Sequence, residues 1–410
     1  MPRKGSLEQE RTKKLKGARR LVIKLGTRIV TGPEGGVSID RVAPIVGSIA
    51  ALMKSGRSVI LVSSGAVGLG RAALGLSASR MGNLVIKQAC AAVGQGLLMD
   101  AYRNLFARWG LRIAQVLLTE DDFTVWSRYS NLKRTIAKLL QFGVVPIINE
   151  NDTVSTTEIA SIDRSGLGTR ASVFSDNDHL AALVMSGLGA DALLLLTDVN
   201  GLFRDGPWRS GSRSTGADSE IIPVIDHITP ELRSLAAGPS PSGRGGMLTK
   251  LEAAEIAMHC GGTAVIANGT QPGVADEIFA GKPAGTVFLP LKRIQGKRRW
   301  IAFAAGVQGR IAVDAGAEKT LTKSRASLLA SGIIRVENHF APNDIVSILG
   351  HTGLEIARGI AGCASHELEA WLSANPAPRA KGRPPVRAKN VQGSRPPIVI
   401  RRDNIVLIRK

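Results

Sequence analysis

Between Arg20 and about residue 290, unbroken apolar runs alternate with amphipathic stretches of helical period, and few folds satisfy both patterns. The runs are Leu21–Lys24, Ser58–Ser63, Arg112–Leu118, Val144–Ile148, Ala192–Thr197, Thr263–Ala267 and Thr286–Leu289. Without polar alternation, such runs read as strands covered on both faces. The helical patterns lie between them, near 39–55, 83–109, 129–142, 178–187 and 247–260. This alternation predicts an α/β fold, an αβα sandwich around a mostly parallel sheet. Ligands of such sheets bind beyond the carboxyl ends of the strands, so residues at strand exits and helix starts are the ones to inspect.

With 410 residues, 44% of them hydrophobic, the chain can build two or three cores. No apolar run reaches 18 residues, so no membrane span is expected. Residues 1–20 lack the apolar core of a secretory signal. Cys90, Cys260 and Cys363 are odd in number and far apart, which speaks against a disulfide framework or zinc site and for the cytoplasm. The six histidines share no ligand spacing, and no metal site is expected. The net charge of +20 sits at the two ends. Residues 1–20 carry eight Lys/Arg against two Glu, residues 291–410 carry 21 against eight acids, and the middle is close to neutral. A basic end suits nucleic acid, and equally a solvated tail. Residues 1–19 are expected to be a disordered arm and 291–298 a basic linker. Beyond it the texture changes to short strands at Arg299–Phe303, Gly309–Val313, Gly332–Glu337, Ile345–Leu349, Ile356–Ile360 and Ile398–Ile400, separated by Gly-rich turns. That predicts a small β-barrel-like domain over 299–410. Its Pro-, Ala- and Arg-rich stretch 374–397 reads as a mobile loop.

Every chemistry-bearing motif of the first region falls at a strand exit or helix start. Lys24-Leu25-Gly26-Thr27 follows the first strand and offers a cation beside a glycine turn. Ser63-Ser64-Gly65-Ala66 joins the second strand to small residues suited to an anion. Asn149-Glu150-Asn151-Asp152 closes the fourth strand, and Asp176-Asn177-Asp178 opens a helix. Short polar side chains there can hold a small polar ligand, though Asp and Asn also serve as ordinary caps. Thr197-Asp198 ends a very apolar strand, where the following Asn200-Gly201 also suits a plain turn. Gly243-Arg244-Gly245-Gly246-Met247-Leu248-Thr249-Lys250 is a glycine loop feeding a helix, an anion cradle with a lysine one turn inside. No Walker A sequence is present, and Gly68-Leu69-Gly70 starts too late for a dinucleotide fingerprint. Two lysines, two anion-binding turns and an acidic cluster at one sheet edge are the parts phosphoryl transfer needs.

Taken together and in this order, these motifs resemble the glutamate 5-kinases of the amino acid kinase family over residues 20–290. Residues 299–410 resemble the PUA domain appended in many bacterial members. The resemblance implies ATP-dependent phosphorylation of the L-glutamate side-chain carboxylate to γ-glutamyl phosphate, the first step of proline synthesis. It implies that Lys24 and Lys250 contact the transferring phosphate and that Asp178 holds both ammonium groups. It assigns Ser64, Asp152 and Asn177 to glutamate, and Lys24, Thr197, Asp198, Arg244, Gly245, Gly246, Met247, Leu248, Thr249 and Lys250 to ATP. Mg²⁺ would travel mainly on the nucleotide phosphates. Proline as feedback inhibitor, a homo-oligomer and weak RNA contact through the PUA domain complete the expectation. The chain departs from the pattern at Arg244 and Leu248, in added residues between Asp152 and Asp176, and in the 374–397 loop. The competing readings are a sister kinase acting on aspartate, carbamate, acetylglutamate or UMP, and an RNA-binding or regulatory protein with a vestigial kinase domain.

Overall fold

In a computed structural model the described residues are 4–154, 176–204, 220–236, 246–294, 296–304, 306–324, 326–375 and 396–408. They divide into two compact units between Ile294 and Gln295, within the stretch expected to be a linker.

The first unit is built on eight strands: β1 (Arg20–Leu25), β2 (Ser58–Ser63), β3 (Ile113–Leu118), β4 (Val145–Glu150), β5 (Ala192–Thr197), β6 (Val224–Ile225), β7 (Thr263–Asn268) and β8 (Thr286–Phe288). Their order is β3-β4-β2-β1-β5-β7-β8-β6. β3, β4, β2, β1, β5 and β7 run parallel, and β8 turns back antiparallel on β7. β5 is buried along its whole length, and β1 and β2 are buried in all but their first residue, which is why their sequences carry no alternation. The helices used below are α1 (Lys4–Gly17), α2 (Ile39–Lys54), α3 (Ala66–Ala73), α4 (Leu84–Ala107), α5 (Trp126–Gln141), α6 (Asn177–Leu188), α7 (Met247–His259) and α8 (Val274–Phe279); shorter ones lie at Thr27–Val30, Asp121–Thr124 and Pro230–Ala236. Leu21, Ile23 and Leu25 of β1 share one core with Val42, Val46 and Ile49 of α2 and Leu98, Tyr102 and Phe106 of α4. Because side chains alternate along a strand, Lys24 belongs to the opposite face. There α6 packs on β1 and on α7.

Two expectations for this unit need correction. Residues 4–17 of the expected disordered arm are helical. Leu15 is fully buried in the main core, and the Arg11 guanidinium donates to the Lys282 carbonyl and pairs with Glu8 at 2.6 Å. One docked leucine and one buried arginine are too thin a signal to stand out in a lysine-rich stretch. The short helix α8 and the two-residue strand β6 were not anticipated from the sequence.

The second unit holds a five-stranded sheet in the order β11-β9-β12-β13-β15 and a pair β10-β14. The strands are β9 (Val307–Val313), β10 (Leu328–Leu329), β11 (Ile333–Glu337), β12 (Ile345–Leu349), β13 (Glu355–Ile360), β14 (Ile398–Ile400) and β15 (Ile405–Leu407). The strand expected at Arg299–Phe303 is helical instead, a turn over Gly296–Arg299 followed by a π-helical turn over Trp300–Ala304. A short apolar run does not distinguish a strand from a buried helical turn. Two further helices, α9 (Ala315–Lys323) and α10 (Ser365–Ala374), close the core through Leu321 and Leu368. Asp314 caps α9 by accepting from the Ala317 amide at 2.7 Å. Most of the stretch expected to be a mobile loop, 376–395, lies outside the described residues.

Candidate active site

Lys24 is the penultimate residue of β1, the strand flanked by β2 and β5 at the middle of the sheet, where it lies opposite Val62 and Leu195. Its neighbours leave the side chain one direction, toward the start of α6. Asp176 caps that helix, its Oδ1 accepting from the amides of Asp178 and His179 at 3.0 Å each. The cap fixes Asp178 in the first turn with no solvent exposure. Lys24 Nζ stands 2.7 Å from Asp178 Oδ1, and Lys250 Nζ, in the first turn of α7, stands 2.9 Å from Oδ2. Thr249 Oγ1 contacts the same Oδ2 at 3.3 Å and donates to the Gly246 carbonyl at 3.0 Å.

Two ammonium groups thus share one carboxylate, and all three side chains are buried. Burial alone drives the Asp178 carboxyl up; the charges and hydrogen bonds of Lys24 and Lys250 outweigh it and bring it down to about 2. Burial and the adjacent Asp178 charge push the Asp176 carboxyl up. Lys24 and Lys250 thus place two cationic side chains around one carboxylate at the starts of α6 and α7, an arrangement suited to an incoming anion.

Beside this charged group lies a neutral one. Asn177 Nδ2 donates to Ser64 Oγ at 2.8 Å, to Asn149 Oδ1 at 3.0 Å and toward the Ser63 carbonyl at 3.3 Å. Asn149 Nδ2 in turn donates to Gln95 Oε1 at 3.0 Å. Gly65 holds the Ser64 turn at a φ of 107°, and a Cβ there would meet Val30 Cγ1 at 3.1 Å, so glycine alone fits without strain.

The structure therefore joins Lys24, Asp178, Thr249, Lys250 and the Gly246 carbonyl into one cluster, and Ser64 with Asn177 into a second that adjoins it in sequence. Thr197 and Asp198 lie at the exit of β5. Thr197 Oγ1 donates to Asp198 Oδ1 at 3.1 Å, and Arg28 pairs with Asp198. Burial raises the Asp198 carboxyl, but the Arg28 hydrogen bond and charge prevail and lower it. Asp152 is half-buried, two residues past the end of β4. Met247 is buried and Leu248 exposed at the start of α7; Arg244 and Gly245 lie outside the described residues. Arg28 and Gln95 were not singled out in the sequence, and Asp176 and Asn149 stood in the two polar motifs without an assigned role. Gln95 had a readable signal: Cys90, Ala91, Gly94, Gln95 and Leu98 are the buried positions of α4 around it, a helical stripe on which one polar residue stands out.

Comparison with known proteins identifies the family. Residues 19–268 match the Amino acid kinase family, and residues 309–372 match the PUA domain. A glutamate 5-kinase of Moorella thermoacetica is 41% identical over 98% of this chain and 99% of its own length. One from Caldanaerobacter subterraneus subsp. tengcongensis is 42% identical over 85% of this chain and 89% of its own. A third, from Geobacter metallireducens, is 42% identical over 88% and 92%. By these matches the chain belongs to the amino acid kinase family, in its glutamate 5-kinase branch, and carries a PUA domain.

Proposed function

We propose that this protein transfers the γ-phosphoryl group of ATP to the side-chain carboxylate of L-glutamate, forming γ-glutamyl phosphate for proline synthesis. The observation that carries the reading is Asp178 held between Lys24 and Lys250 at the carboxyl edge of the sheet. A carboxylate is already a nucleophile and needs no strong general base. The barrier lies in bringing two anions together, and preorganised cations lower it. In this reading Lys24 and Lys250 hold the transferring phosphoryl oxygens. Asp178 is a positioning residue that holds both ammonium groups in place. Gly246, Met247, Leu248 and Thr249, with Arg244 and Gly245, hold the nucleotide phosphates at the start of α7, where free amides favour anions. Thr197 and Asp198 border the rest of the nucleotide. Ser64, Asn177 and Asp152 hold glutamate, Asp152 serving its ammonium group.

Mg²⁺ takes oxygen ligands and keeps several from phosphates and water. Among the described residues no three metal-binding side chains converge. Among the described residues one atom fits a magnesium contact: Asp176 Oδ2, buried and without a hydrogen-bond partner there. Asp176 would meet the ion there, directly or through water, while the nucleotide phosphates carry it. The ion supplies charge neutralisation on those phosphates.

The same reading includes the domain limits near 290 and 299, the cytoplasm, proline as feedback inhibitor, self-association, and weak RNA contact through the PUA domain. No described helix is long and apolar enough to cross a membrane. RNA contact is supported by the domain match and the basic 291–410 region, and binding that falls steeply with added salt is its expected signature. The catalytic reading is tested by ADP release from ATP with glutamate, aspartate, acetylglutamate or UMP as acceptor. Glutamate should support release well above the other three. Release that is equal with another acceptor, or absent with glutamate, refutes it.

A further inference from the structure

The amide groups beside the charged cluster form a directional chain, and its far end is a residue with no assigned role. An amide has an accepting oxygen and a donating nitrogen, so amides in a row must run head to tail. The direction here is anchored at Ser63, whose backbone carbonyl can only accept. Asn177 must therefore turn its NH₂ toward that carbonyl and toward Ser64 Oγ and Asn149 Oδ1. Asn149 is left with its NH₂ facing away, and Gln95 Oε1 receives it at 3.0 Å. Asn149 is 2% and Gln95 8% exposed, so water does not readily replace this acceptor. Gln95 Nε2 is itself buried with no hydrogen-bond partner among the described residues. A buried unpaired donor is unfavourable, yet the glutamine is held with its oxygen presented to Asn149.

The location of Gln95 is also tightly fixed. A Cβ on the preceding Gly94 would lie 1.8 Å from the Ala66 carbonyl oxygen, and one on Gly70 would lie 1.8 Å from that of Cys90. Helices α3 and α4 therefore cross in backbone contact. Helix α3 starts directly after the Ser64-Gly65 turn, so the crossing ties Gln95 to the turn that carries Ser64.

We propose that Gln95 is a positioning residue for the amino-acid substrate, fixing through Asn149 the orientation in which Asn177 keeps its NH₂ inward and its carbonyl oxygen for the ligand. Asn177 Oδ1 accepts no hydrogen bond among the described residues, and Asn177 is only half-buried. An accepting oxygen there recognises a donor, the α-ammonium group, and gives no such reward to a dicarboxylate without an amine. This inference rests on the glutamate reading above.

The test is Gln95→Met in the full-length protein, which keeps the length and removes the acceptor. The KM for glutamate should rise about tenfold while kcat and the KM for ATP change less than about threefold, as loss of one hydrogen-bonded contact predicts. The preference in kcat/KM for glutamate over glutarate, which lacks the amine, should fall by a similar factor. In an Asn177→Ala background the same substitution should change the glutamate KM by less than about twofold, because residues acting through one chain are not additive. Thermal melting reports folding, and if the Met variant does not fold, Gln95→Asn, one methylene short of Asn149, is measured for the same three results. Unchanged glutamate KM, equal effects on ATP and glutamate, an unchanged preference over glutarate, or full additivity with Asn177→Ala overturns the role of Gln95. Absence of glutamate phosphorylation in the unsubstituted protein instead overturns the parent reading, so the two failures are distinct.

Discussion

The two halves of the candidate site solve the same problem, holding an anion in place, with opposite chemistry. The half at β1, α6 and α7 is built on an ion pair: two lysines share one fully buried carboxylate. The half at β2 and β4 is built on amides: Ser64, Asn177, Asn149 and Gln95 are linked by hydrogen bonds that fix direction, with Asp152 just past the end of β4. Charge acts with little regard to orientation and suits a phosphoryl group whose charge shifts during transfer. Amides distinguish donors from acceptors and suit recognition of one amino acid among several. The difference teaches where rate and selectivity should separate on mutation.

The largest effect belongs to the ionic half. Lys24→Ala or Lys250→Ala should lower kcat by about 10²–10³, the usual cost of one transition-state electrostatic contact. Circular dichroism should show the fold retained. Near-normal turnover in both variants would erase the distinction between the halves. Next comes Asp152→Ala, expected to raise the KM for glutamate about tenfold or more and that for ATP far less. Equal shifts for both substrates would make Asp152 a structural strand-end residue.

A third prediction uses pH. The Asp178 carboxyl is lowered from 3.8 to about 2 in the folded protein. A lowered carboxylate stabilises the fold above its unfolded value, and that contribution is lost as pH falls through the folded value. Stability should therefore drop between about pH 4 and 2, and this component should be missing in Asp178→Asn. Parallel acid-unfolding curves for the two proteins would contradict the ionic account. The smallest effect is expected for Arg28→Ala. Its pair with Asp198 is half-exposed, and exposed pairs contribute little, about 0–1 kcal/mol. The KM for ATP should rise no more than about threefold in steady-state assays, with the glutamate KM unchanged.

The same contrast explains how much was legible in the sequence. Lys24, Asp178 and Lys250 could be found because charged residues at the ends of apolar strands and helix starts are conspicuous. In the first unit every strand but the two-residue β6 was readable within a residue or two, since β1, β2 and β5 are covered on both faces and carry no alternation. The amide chain was not readable past Asn177. Gln95 sits 82 positions before it in the chain, and only the crossing of α3 and α4 through Gly70 and Gly94 brings the two together. Hydrogen-bond direction is a property of tertiary contact and leaves no local spacing. Helix α1 was obscured for a related reason. Its stability comes from Leu15 and Arg11 docking elsewhere in the unit, while its own sequence is almost entirely polar. In the second unit, the short apolar run 300–303 matched a strand as well as a helical turn, and packing decided between them.

The bond formed distinguishes a glutamate kinase from any other ATP-consuming enzyme. Acyl phosphates react with hydroxylamine to give hydroxamates, so ATP, Mg²⁺, glutamate and hydroxylamine are combined with the full-length protein and the product is read by its iron(III) colour. The expected result is γ-glutamyl hydroxamate accumulating in step with ADP, strongly reduced by Lys250→Ala at saturating glutamate. ADP release with no hydroxamate would contradict the claim that the glutamate carboxylate is the phosphoryl acceptor.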